Sequence, residues 1–311
     1  MTRARVADQG ILLALVLIVL GLALVSPAFR APDNLLNIGR KIAILGIAAA
    51  AMTFIILLAE IDLSVGAVAS ASGVVAALAL AAGWGPWAVP AGIATGAAFG
   101  VLNGMLTVVV AVPSFVATLV SFFIAQGVAL TLTGGQTITF DAPGFRSAFA
   151  LGEMGGLRAP FLWFAGIFLT LAWLLHRTRF GANLYAIGGN ATSARMLGLP
   201  VARVRLAVFA GTGALMGIVG LILIARIGNA RADGAIGLEF DAIAAVVIGG
   251  TALSGGQGSL ARTALGVLLI GVLNNALAIL NVDFNVQQVV KGALVVAVVL
   301  ADRWLRGERQ A

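Results

Sequence analysis

Eight polar side chains sit within or beside otherwise apolar stretches of this chain: Glu60, Asp62, Asn103, Gln126, Asp241, Asn274, Asn275 and Lys291. Such groups are costly in hydrocarbon, so each must bond a neighbouring helix, stand at a helix end or face a polar cavity. Two chemistries follow. Asn103, Asn274 and Asn275 could offer amide hydrogen bonds to a hydroxylated solute along a translocation path, and Glu60 or Asp62 could couple transport to an ion. Interhelical bonding explains the same residues without any solute, and the position of Glu60 and Asp62 at a span boundary favours capping or pairing over proton carriage. Hydrolysis and acyl transfer find no machinery. A nucleophile needs a base and an orienting group within reach, and the chain has one histidine, His176, no cysteine, and neither G-x-S-x-G nor H-E-x-x-H. Thiolate and His-rich metal sites fail on the same composition, so neither an enzyme nor a metal site is expected.

Leu253-Ser254-Gly255-Gly256-Gln257 spells LSGGQ, the signature of ATP-binding-cassette ATPases. An ATPase also needs a GxxxxGK[ST] loop, whose lysine reaches the terminal phosphates. The only lysines are Lys41, followed by Ile42, and Lys291, followed by Gly292. The phosphate loop is therefore absent, and the five letters read as a glycine-rich turn between helices.

The elements that must position these groups are membrane helices. The chain is 61% hydrophobic and 10% charged with a mean hydropathy of +1.08, too apolar for a water-soluble core. About 20 helical residues cross the hydrocarbon. Apolar blocks of roughly that kind fall at 11–25, 38–59, 66–82, 86–111, 114–133, 160–175, 206–225, 240–253, 262–280 and 285–301, an expected bundle of about ten transmembrane helices. The first block follows Arg3 and Arg5 like a signal peptide, but Phe29-Arg30 makes a poor cleavage site and many spans follow.

With both termini cytoplasmic, eleven basic residues fall inside and seven outside, with Lys291 within a span. This bias, rather than a nucleic-acid surface, accounts for the net charge of +7. The connection at about 134–160 then lies outside as irregular surface structure. The basic connection at about 176–205 lies inside, where it can meet a cytoplasmic partner. Gly92, Gly96, Gly100 and Gly104 mark one helix face as a contact groove. Leu63-Ser64-Val65-Gly66 is weakly echoed by Leu253-Ser254-Gly255-Gly256, a hint of related halves.

Read in order, several segments resemble the permeases of ribose-type sugar ATP-binding-cassette importers, over nearly the whole chain. Ile61-Asp62-Leu63-Ser64-Val65-Gly66 matches the IDLSVG block of that family. Pro113 to Leu119 (PSFVATL) and Thr133-Gly134-Gly135-Gln136 are similar to its next stretches, and Ala186-Ile187-Gly188-Gly189-Asn190 through Ala194-Arg195 to Gly198-Leu199 to its cytoplasmic loop. Asp241 to Thr251 (DAIAAVVIGGT) is similar to the block that leads into a glycine-rich turn. Glu60 stands where glycine is common, and Gln126-Gly127 where many relatives carry Arg-Gly.

The resemblance implies an all-α, polytopic integral membrane helix bundle of the type II importer class, a single permease domain over 1–311. It implies a multi-pass protein of the bacterial inner membrane that moves a monosaccharide or similar small polar solute by alternating access. Its partners would be a second permease subunit, identical or related, cytoplasmic ATPase subunits and a periplasmic solute-binding protein. ATP would bind to the ATPases, with no cofactor in this chain. Gly188, Gly189, Asn190, Ala194, Arg195 and Gly198 would form the coupling loop, and a bulky residue at Gly189 or Gly198 should abolish uptake. Asn103, Phe115, Asn274 and Asn275 would line the path, while Asp62, Ser64, Gly66, Asp241, Gly249 and Gly250 would be structural. An ion-coupled secondary transporter using Glu60 or Asp62 is the alternative, and a membrane scaffold without flux a third reading.

Overall fold

The computed structural model describes residues 3–283, together with 286, 287, 289, 290, 292, 293 and 296. The expected span at 285–301 and Lys291 therefore lie mostly outside the described residues. Thirteen helices are described: α1 (Arg3–Val25), α2 (Pro27–Arg30), α3 (Pro32–Leu57), α4 (Val65–Ala81), α5 (Ala88–Val108), α6 (Ser114–Thr133), α7 (Pro143–Arg146), α8 (Ala159–Arg177), α9 (Arg179–Gly189), α10 (Ala191–Met196), α11 (Val201–Ile227), α12 (Leu238–Ile248) and α13 (Leu260–Ile279). Six stretches are long and apolar enough to cross a membrane: Pro32–Leu57, Gly85–Val108, Ser114–Thr133, Ala159–Arg177, Val201–Ile227 and Leu260–Ile279. This is an all-α membrane bundle.

α3 forms its core. Every residue from Ile42 to Leu57 is buried, because α8, α11, α12 and α13 surround the helix. An apolar helix needs no polar face when protein covers it on all sides. α3 begins six residues before the expected block, at Pro32. Proline suits a first helical position, since its missing N–H would have no intrahelical acceptor there.

The glycine face of α5 meets α11 backbone to backbone. A Cβ built on Gly96 would fall on the Gly213 carbonyl, one on Gly100 on the Phe209 carbonyl, and one on Gly217 within 2.7 Å of Ile93 Cα. The groove read from the spacing is thus half of a two-sided contact, with glycines on both helices. Ends are as specific as faces: α6 stops at Gly134 and α11 at Gly228, whose φ of 57° and 82° suit a residue without a Cβ.

The expected span 240–253 is corrected. α12 has 11 residues, about 16 Å at 1.5 Å per residue, half of a crossing. Gly249 starts a turn that the apolar pair Ala252-Leu253 beyond it conceals from hydropathy. The connection 134–160 is also more ordered than expected. β1 (Ile138–Thr139) pairs with β4 (Asn229–Ala230), and β2 (Glu153–Met154) with β3 (Leu157–Arg158), both antiparallel. Phe140, Phe145, Phe149 and Trp163 form a continuous ring contact beneath them. The basic connection 176–205 is mostly helical, as α9, α10 and the first turn of α11. Since α8 joins one region to the other, they occupy opposite ends of the bundle.

Candidate functional site

α3 and α4 are joined by an unwound segment, residues 58–64, that carries the IDLSVG block. Its backbone is held by two side chains of α6. Ile61 N donates to Ser114 Oγ at 3.1 Å, and Leu63 N to Thr118 Oγ1 at 3.1 Å. Asp62, 2% exposed, accepts from Ser64 N at 2.8 Å and from Ser64 Oγ at 2.6 Å. Asn103, 1% exposed, donates through Nδ2 to Ser64 Oγ at 2.9 Å. The arrangement satisfies buried groups of a segment that no helix can satisfy, and it ties α4, α5 and α6 to one point.

Glu60, one step earlier, pairs with Arg205 in the first turns of α11 at 3.1 Å. Ala59 before it has a φ of 60°, left-handed for a residue with a side chain. The two carboxylates are thus committed to an arginine and a serine. Gly66 continues the site: a Cβ there would fall on the Glu239 carboxylate, so α4 and the start of α12 touch only because the position is glycine.

Asn274 Nδ2 donates to Asp241 Oδ2 at 2.9 Å across α12 and α13. Both line a cavity of about 240 Å³ with Lys41, Arg226 and Gln287. Asn275 faces elsewhere and forms a reciprocal amide pair with Asn34, at 2.8 and 3.2 Å, that fastens α13 to the start of α3. Phe115, 52% exposed, stands in the first turn of α6 beside the unwound segment. The four residues expected along the path are therefore not gathered at one place. Asn103 and Asn275 are engaged helix to helix, Asn274 lines a cavity, and Phe115 is open to the surroundings.

The residues expected to form the coupling loop do lie together. Asn190 caps α10 by accepting from Ser193 N at 2.9 Å, and Gly198 ends the helix with a φ of 77°. Ala194 is the buried contact of α10, and Arg195 is exposed. Met196 and Leu197, at the tip, are 83% and 80% exposed. Among the described residues, no other part of the chain covers that pair. Gly188 and Gly189 differ sharply. A Cβ on Gly188 would collide with the Leu57 carbonyl, whereas one on Gly189 meets nothing within 4 Å. Gly249 packs at 2.7 Å from the Arg262 carbonyl by the same measure, and Gly250 has a φ of 77°.

The family described as "Branched-chain amino acid transport system / permease component" matches residues 34–299. The chain belongs to this permease family. The permease is 37% identical over 307 residues to the ribose import permease protein RbsC of Escherichia coli K12, covering 97% of this chain and 95% of that one. It is 39% identical over 296 residues to the RbsC of Bacillus subtilis, with 94% and 92% covered. It is 31% identical over 306 residues to the L-arabinose permease AraH of Azospirillum brasilense, with 97% and 89% covered. No solved structure matches. The permease is accordingly a multi-pass membrane protein and not an enzyme. The ion-coupled alternative is corrected on the same grounds: the family is that of transport-system permease components, and Glu60 and Asp62 are held by Arg205 and Ser64.

Proposed function

We propose that this chain is the type II permease subunit of a monosaccharide importer driven by separate ATPases. The sugar assignment rests on the ribose and L-arabinose permeases to which it is similar over nearly its whole length. One observation supports the coupling assignment above others. At the end of the bundle where α8 gives way to α9, two large apolar side chains, Met196 and Leu197, project uncovered from a capped helix. Exposed apolar anchors on a rigid, preorganised element suit protein docking.

In this reading about ten helices make one permease domain over 1–311 in the bacterial inner membrane. Both termini and the 176–205 region are cytoplasmic, and 134–160 is periplasmic. Two permease subunits enclose the path, ATP binds to two cytoplasmic ATPases, and a periplasmic binding protein delivers the solute. Gly188, Gly189, Asn190, Ala194, Arg195 and Gly198 shape the coupling element, with Met196 and Leu197 as its contacts. Asn274 and Phe115 face the path, while Asn103 and Asn275 hold the helices that border it. Asp62, Ser64, Gly66, Asp241, Gly249 and Gly250 keep the unwound segments in register.

The test is co-purification of the permease with its ATPase, then ATP hydrolysis in lipid vesicles with a loaded binding protein and a panel of pentoses and hexoses. One sugar of the panel should stimulate hydrolysis and accumulate in the vesicles. Absence of stimulation by every sugar, with the complex intact, would overturn the monosaccharide assignment.

A further inference from the structure

The LSGGQ sequence stands in a chain without a phosphate loop, yet the fold gives it a particular place. The turn lies between the end of α3 and the end of α9, and all three meet through backbone. Gly256 N donates to Leu57 O at 2.9 Å. A Cβ on Gly255 would stand 2.7 Å from Gly188 O and 2.8 Å from Ala59 N, and one on Gly256 2.7 Å from Gly189 Cα. Gly188 in turn presses on the Leu57 carbonyl. Beside this contact Tyr185 of α9 donates its hydroxyl to Gly258 O at 3.0 Å.

No flexible side chain intervenes at these points, so the contact has little room to yield. Close-packed interiors transmit displacement rather than absorb it. Leu57 leads directly into the unwound segment, where Glu60 meets α11, Ser114 and Thr118 hold the backbone, and Ser64 meets Asn103 of α5. A displacement of α9 would reach α5, α6 and α11 within seven residues of Leu57.

We propose that the Leu253–Gln257 turn, anchored by Tyr185, is the transmission contact that passes movement of the α9–α10 element to α3 and the 58–64 segment. This rests on the reading that α9 and α10 dock onto the ATPase. The competing route is covalent, through α8 and α11, which flank the element in sequence and would move with it whether or not the turn is intact.

Tyr185→Phe removes one hydroxyl, and Gly255→Ala places a methyl between Gly188 O and Ala59 N at a φ of 82°. Both are measured in vesicles holding the whole complex, reading ATP hydrolysis and solute uptake together. Tyr185→Phe should retain ATPase association and hydrolysis while solute moved per ATP falls about fivefold, the factor that loss of roughly 1 kcal/mol of bonding implies. Gly255→Ala should uncouple further. Should Gly255→Ala fail to fold, Tyr185→Phe decides alone. Uptake per ATP equal to wild type in the folded variants would overturn the transmission role. The underlying reading has its own arm: Met196→Asp with Leu197→Asp should abolish ATPase association. Retained association there would sink the docking assignment, and the uncoupling measured at Tyr185 would have to act by another route.

Discussion

Two neighbouring glycines show how far a single residue type can mean different things. Gly188 and Gly189 both belong to the family-like loop, and the sequence treats them alike. Only Gly188 lacks room for a Cβ, because the Leu57 carbonyl occupies it. Gly188→Ala should therefore lower the thermal midpoint of the purified permease, with a cost of about 1–3 kcal/mol typical of overpacking. Gly189→Ala should leave it unchanged or raised, since alanine favours helix by up to about 1 kcal/mol. Equal midpoints for the two variants would contradict the packing. Legibility at this scale was uneven. Asn103 and Asp62 were visible as polar groups in apolar surroundings and Ser64 as part of the family-like block, but that Ser64 bonds both of them is visible only in the fold. Asp62→Ala should cost about 1–3 kcal/mol by leaving the buried Ser64 N–H and hydroxyl without their acceptor, a loss readable in the same melt.

Among the elements, hydropathy located α4 and α6 to within a residue and found α5, α8, α11 and α13, because lipid contact and burial both select apolar side chains. It failed where other physics sets the boundary. α3 starts on Pro32 among polar residues, and α12 ends at Gly249 within an apolar run. The two-sided glycine contact of α5 and α11 was half legible: the four-residue spacing was plain in α5, whereas Gly213 and Gly217 needed their partner to be known. α12 gives the sharpest test of an element. The natural chain has no cysteine, so single cysteines can be introduced without background. Asp233 and Ser254 are exposed and bracket one 11-residue helix. Asp233→Cys should react with an impermeant maleimide added outside intact cells, and Ser254→Cys only after permeabilisation. Labelling of both from one side would show that α12 and its flanks do not cross.

The whole molecule joins its two ends through α3. At one end the loop elements β1, β4 and the aromatic cluster rest on the helices, and at the other α9 and the glycine turn grip the last turn of α3. That arrangement suits a machine pushed from one end by a partner rather than one driven by protonation within its core. The buried carboxylates of the unwound segment bear on this choice. Glu60 is paired with Arg205, and the two side chains keep only 9% and 22% of their exposure, so the pair is mostly buried and removing one partner would leave the other uncompensated. Glu60→Gln preserves an acceptor for the guanidinium and removes the titratable group. Solute uptake by cells carrying this variant should stay within about fivefold of wild type, the factor set by roughly 1 kcal/mol between a charged and a neutral acceptor for the guanidinium. It should also persist when a protonophore collapses the proton gradient while internal ATP is maintained. Loss of uptake on both treatments would mean that an ion gradient supplies the driving force. Loss with Glu60→Gln alone would instead place the Glu60–Arg205 pair in the movement of α11, since the charge would then matter without the gradient.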